Sequence, residues 1–221
     1  MRFKPFTFSS LLLYCLGLSS GHSQSTERVW SVVTLNKIIG KWTYQIEPQL
    51  RVHDRTYLYD RFLTNGGVGY QFSTQSSFWL GATAENIGRQ ASSPGNHQYR
   101  LWQQLINNSR PDVFNFSLRS RFEQRKLLSS PTLNYRLRER LTITTNLTQS
   151  LALVGYDELF FNINQPDWVA PTTFSQNRIS IGLNQQATKQ LIMGAGYIFQ
   201  ALFPSPTRYG NVFTLNIQYS C

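Results

Sequence analysis

The sequence predicts an all-β fold: a single antiparallel transmembrane β-barrel of ten to twelve strands, placed after a cleaved signal peptide. Three observations predict it. Segments of about ten residues alternate apolar and polar side chains along most of the chain, the period of two that a strand with unlike faces requires. The connections between them are short and long in turn, as in bacterial outer-membrane barrels. The N-terminus has the layout of a secretory leader.

The leader is read first. Arg2 and Lys4 form a basic region, Phe6 to Leu18 is apolar, and Ser19, Ser20 and Gly21 offer small residues for cleavage between Ser20 and Ser25. Its apolar run falls short of the ~20 residues that a spanning helix needs. Cys15 is a poor lipidation site, because bulky Tyr14 precedes it and apolar sequence continues past it. The expected division is a signal peptide at 1–23 and a barrel at 24–221. Cys221 is then the one cysteine left, so no intramolecular disulfide supports the exported chain.

Ten strands follow from Trp42. Trp42–Val52 sets Trp42, Tyr44, Ile46, Leu50 and Val52 against Thr43, Gln45, Glu47, Gln49 and Arg51. Tyr57–Phe72 contains Gly66, Gly67 and Gly69, which weaken or bend a strand. Ser77–Glu85 and Gln98–Ile106 come next, the latter setting Tyr99, Leu101 and Leu105 against Arg100 and Gln104. Val113–Arg125 is the most regular: Phe114, Phe116, Leu118 and Phe122 oppose Arg119, Arg121, Glu123 and Arg125. In Tyr135–Thr144, Leu137, Leu141 and Ile143 oppose Arg136, Arg138 and Arg140, while Glu139 falls on the apolar face. Ser150–Phe161 is irregular, and a bulge near Gly155 would reconcile its halves. Ser175–Gln185, with Arg178 on its polar face, the glycine-rich Leu191–Gln200 and the alternating Asn211–Cys221 complete the set. Arg28–Leu35 reads as an eleventh strand. It closes the barrel, folds inside it, or belongs to a twelve-stranded barrel; the pattern leaves all three open.

The apolar faces could cover a soluble core or meet lipid. Strand length, aromatic residues gathered near strand ends and the alternating final strand favour lipid. Ending on Cys221 departs from the aromatic residue such strands commonly carry. A soluble periplasmic β-protein is the alternative.

The chain resembles a bacterial family known as domain of unknown function 2490. The resemblance runs from Trp30 to the C-terminus. It rests on Trp30, KWTYQIEPQLR at Lys41–Arg51, LWQQL at Leu101–Leu105, RSRFEQR at Arg119–Arg125, DELFF at Asp157–Phe161 and FSQNRISIGLN at Phe174–Asn184. It implies an outer-membrane barrel and brings no activity, substrate or catalytic residue.

Lipid outside means charge inside. Glu47, Arg51, Arg100, Arg119, Arg121, Glu123, Arg125, Arg136, Arg138, Arg140, Glu158 and Arg178 are expected to face the lumen. Lone buried charges are very costly, so these must be paired or hydrated. One reading is a lumen plugged by Arg–Glu pairs. Another is a small anion-selective porin, because arginine exceeds acid among these residues and basic linings admit anions. The net charge of +10 comes from 16 Arg and 5 Lys, a bias toward the side chain that makes forked contacts with carboxylate and phosphate. An exported chain has little access to nucleic acid, so that reading is set aside.

A hydrolase is a third class. His53, His97 and Asp54 fall near the long loops, where a rim site would lie, yet no serine is marked by a motif. Asp157 and Glu158 point to opposite faces of a regular strand and make no shared-proton pair. No cofactor is implied, and two distant histidines with one terminal cysteine supply no metal site. The expected setting is the outer membrane of a Gram-negative cell. Its lipid and lipopolysaccharide, and the barrel-assembly machinery, are the expected partners of a monomer, with an anionic solute as candidate ligand. Arg55, Arg89 and Lys126 either meet lipopolysaccharide phosphates or are simply solvated.

Overall fold

A computed structural model describes residues 26–53, 60–88, 95–204 and 206–221. The expected leader with Cys15, together with Asp54, Arg55 and Arg89 and the side chain of His53, lies outside that description. Eleven strands follow one another: β1 (Thr26–Ile39), β2 (Trp42–His53), β3 (Arg61–Gln71), β4 (Ser76–Ile87), β5 (Asn96–Ser109), β6 (Phe114–Leu127), β7 (Leu133–Asn146), β8 (Leu151–Asn162), β9 (Phe174–Gln186), β10 (Leu191–Leu202) and β11 (Arg208–Ser220). They form one closed barrel in which each strand pairs with its chain neighbours and β1 pairs with β11.

The closing ladder departs from the all-antiparallel expectation. Each turn reverses the chain, so an eleventh strand runs in the direction of the first, and closure requires a parallel pair. That pair is regular from Thr26 opposite Gly210 to Asn36 opposite Ser220. The Arg28–Leu35 segment therefore closes the barrel. With no free edge left, the ladder satisfies the backbone all the way round.

The connections divide the barrel into two rims. Gly40–Lys41, 72–75, 110–113, 147–150 and 187–190 make one rim of short turns. Gly40 has φ 59°, the left-handed conformation that glycine adopts without steric cost. The other rim carries the longer connections 54–60, 88–95, 128–132, 163–173 and 203–207. Pro48 lies inside β2 on its outer face. It lacks an N–H, and the β1–β2 ladder is interrupted there, between the pairs Val32–Gln49 and Leu35–Ile46.

The bulge expected near Gly155 is absent from that position. Gly155 pairs regularly with Ile143 and Ile181, and the register shifts instead between Phe160 and Phe161. The alternation reads as broken because Val154 and Tyr156 are apolar side chains that face the interior.

Two unlike faces result. Large apolar side chains point outward and exposed on ten of the strands, among them Leu50, Phe62, Leu80, Leu101, Leu118, Leu141, Ile181 and Leu215. Two outward acids interrupt this band. Glu139 accepts from Ser120 Oγ at 2.6 Å, and Asp157 accepts from Asn177 Nδ2 at 2.5 Å. Among the described residues, the buried side chains inside are mostly polar, with an apolar cluster of Trp30, Ile198 and Val212 beside Tyr156.

Two inward glycines shape the wall. A Cβ at Gly67 would lie 2.5 Å from Cη2 of Trp102, and one at Gly81 would overlap the same ring and the carbonyl oxygen of Gly66. Trp102 thus lies flat against the wall because the wall there has no side chains. Gly81→Ala is expected to lower the unfolding free energy by about 1–3 kcal/mol, the usual cost of overpacking. Gly66→Ala, which has open space around it, is expected to change little. Urea unfolding followed by tryptophan fluorescence compares the two.

Candidate functional site

Alternation within β2 and β5–β9 turns one arginine or glutamate after another toward the axis. The structure places all twelve residues expected in the lumen on that inner face. It adds Arg28, Asp60, Arg61, Glu85 and Arg208. Twelve arginines meet five acids, a formal excess of seven positive charges among the described residues. Of the thirteen described arginines, Arg110 alone lies elsewhere, in a short turn.

Three acids anchor most of the paired charge. Glu85 lies between Arg61 at 2.9 Å and Arg100. Glu123 receives Arg136 at 2.5 Å and Arg138 at 2.7 Å. Glu158 receives Arg138 at 2.7 Å, Arg119, and Arg178 at 3.7 Å. Arg138 joins the last two acids into one chain of charges. All three carboxylates are buried, at 1–2% exposure, and multiple forked contacts are what make such burial tolerable. Glu47 differs, being held by neutral donors: Gln49 at 2.5 Å, Asn65 at 2.9 Å and Thr34 at 3.3 Å.

Each of these paired arginines except Arg136 and Arg178 also stands against a second arginine. In the ladders, Arg119 sits directly opposite Arg140, Arg121 opposite Arg138, Arg100 opposite Arg125 and Arg51 opposite Arg61. Like charges directly opposite one another oppose pairing, so this arrangement persists only with compensation. Part of it comes from aromatic faces. Arg51 and Arg178 lie over Trp30 at 4.0 and 4.9 Å, Arg121 over Trp102 at 4.2 Å, and Arg140 over Tyr156 at 5.3 Å. Phe160 carries Arg136, Arg138 and Arg178 within 5.2 Å. Such contacts add about 0.5–2 kcal/mol each and leave the net charge unchanged.

Arg140 is the plainest case. It stands directly opposite Glu158, yet Arg119 reaches past it to take that carboxylate. Arg140 Nε is buried and has no hydrogen-bond partner among the described residues. Among the described residues, Arg121 donates to the neutral Gln104 Oε1 at 2.7 Å, and Arg51 donates to Gln49 Oε1 at 2.9 Å.

These groups surround a cavity of about 760 Å³. Its lining runs from Arg28, Asp60 and Arg208 near the long-loop rim to Gln45, Ile106 and Gln218 near the short-turn rim. The interior therefore holds open space as well as ion pairs. Charge is concentrated toward the long loops, while Gln45, Thr142, Ser180, Asn184 and Asn216 line the other half. Among the described residues no group of three metal-ligand side chains occurs. Cys221 is exposed at the short-turn rim, and His97 is exposed on the outer face of β5. His97 has no serine or carboxylate hydrogen-bond partner to its side chain among the described residues, and the side chain of His53 lies outside the description.

The sequence reading missed Arg61 and Glu85, which lie on the inward parity of β3 and β4. Alternation carried from Leu63 and Thr83 would have found them, but the glycines at 66, 67, 69 and 81 hide that period. The aromatic cushions had no local signal at all.

A closed eleven-stranded β-barrel with an arginine-rich, aromatic-cushioned interior defines the class. Within it, the chain belongs to the family of proteins of unknown function DUF2490, whose pattern matches residues 27–211. It is 26% identical over 208 residues, 90% of each chain, to an uncharacterized protein of Methylorubrum extorquens. No solved structure matches.

Proposed function

We propose that this chain is an outer-membrane barrel that admits small anionic solutes to an arginine-lined lumen. The observation that carries the reading is the opposition of faces: an outward apolar band around the barrel, and twelve arginines inside it. Strands of 11–14 residues, rising ~3.3 Å per residue and tilted ~40°, cover about 28–35 Å, close to the ~30 Å hydrocarbon thickness of a bilayer. Backbone closure removes the unpaired polar groups that lipid would penalise. The leader at 1–23, expected from sequence, supports export. A wet lumen with surplus arginine favours anions electrostatically.

Membrane fractionation with gel mobility before and after boiling tests the placement. An unheated mobility shift in the outer-membrane fraction is expected, and a soluble periplasmic protein without a shift would overturn it. Planar-bilayer recording tests the lumen. The reversal potential in a salt gradient is expected to show anion preference, and Arg140→Gln is expected to reduce it, because Arg140 has no carboxylate partner among the described residues. Silent protein that nevertheless shows the mobility shift would remove the permeation part alone.

A further inference from the structure

We infer that the lumen holds a compact polyvalent oxyanion, of phosphate or polycarboxylate chemistry, at Arg119, Arg121 and Arg140 on the inner face of β6 and β7. The inference rests on the anion-admitting reading and names the ligand class. Arg119 and Arg140 are direct ladder partners, and Arg121 is two residues further along β6 on the same face. All three line the cavity. Two carboxylates lie nearby: Glu158, which Arg119 engages, and Glu123, two residues from Arg121 on β6, which is taken by Arg136 and Arg138; among the described residues neither forms a salt bridge with Arg121 or Arg140. Arg121 lies over Trp102 at 4.2 Å and Arg140 over Tyr156 at 5.3 Å, contacts that bias their positions before any ligand arrives. Guanidinium forks match the geometry of carboxylate and phosphate oxygens.

Charge density selects valence. A formal excess of seven positive charges lines one cavity, and monovalent ions would have to gather there in number and repel one another to balance it. Two or three polyvalent anions supply the same charge with fewer particles to confine, and each meets several forks at once.

The test uses the full-length mature protein in detergent micelles, with pyrophosphate, citrate and chloride titrated at matched ionic strength. Two readouts are taken: thermal unfolding by the gel mobility shift, and the tryptophan emission, in which Trp102 responds through its contact with Arg121. Pyrophosphate is expected to raise the unfolding midpoint and shift the emission at concentrations where chloride does neither. A response to citrate as well assigns the selection to valence; a response to pyrophosphate alone assigns it to phosphate chemistry; both support the site. Arg121→Gln/Arg140→Gln is expected to weaken the response at least tenfold, while Arg110→Gln, in a short turn, retains it. If the double variant does not fold, Arg140→Lys serves instead, because it keeps charge and removes the fork. Equal responses to all three anions would overturn the proposal as simple screening, as would an undiminished response in the variants. An outer-membrane fractionation failure would overturn the membrane reading and leave this titration standing on its own result.

Discussion

Glu158→Gln is expected to destabilise the barrel by about 3–5 kcal/mol, the range for breaking a buried ion pair from one side. The carboxylate is 2% exposed and takes Arg119, Arg138 and Arg178 together. Glutamine keeps the size and one acceptor but removes the charge, leaving three guanidiniums facing one another. Asp157→Asn, one residue away on the outer face, is expected to shift stability by well under 1 kcal/mol, the usual scale for surface positions. Adding Arg178→Gln to Glu158→Gln is expected to restore part of the loss, since it lifts one repulsion. Urea unfolding in lipid vesicles measures all four proteins. A Glu158→Gln protein as stable as the parent would show that the ion-pair chain is dispensable.

The second large effect lies on the other face. Ile181→Arg, at mid-height on β9 and 58% exposed in the isolated chain, is expected to cost about 2–4 kcal/mol in vesicles, as charged residues do at the midplane of a barrel. The same change on a water-exposed surface would stay within about 0.5 kcal/mol. Stability in vesicles therefore separates a lipid-facing wall from a solvated one without any assay of function. A neutral outcome would place the outer face in water and require a different account of its apolar band.

Alternation made the strands of β2, β5, β6, β7, β9 and β11 legible residue by residue, because one face is apolar and the other charged. The parity of every arginine on those strands followed from it. Barrel closure was not legible. The β1 pattern is the same whether it pairs in parallel, folds inside or sits beside a further strand, since backbone ladders carry no side-chain code. Ion-pair partners were equally hidden. Ladder neighbours would join Arg140 to Glu158, whereas the longer reach of Arg119 decides the matter. The open cavity depends on the fit of Trp102 over Gly67 and Gly81, a complementarity between three strands that no single segment displays.

The parallel seam of β1 and β11 also bears on how such a barrel could have arisen and how it can be rewired. Copying a hairpin adds two strands, so growth by that route keeps the parity of the strand number, and an eleven-stranded ring is not reached that way from an even-stranded one. The strand ends that flank the seam, Thr26 and Ser220, lie at opposite rims, ten ladder steps apart, or roughly 33 Å at ~3.3 Å per step. A circular permutant would need a linker running the full height of the wall, where an even-stranded barrel needs only one more turn.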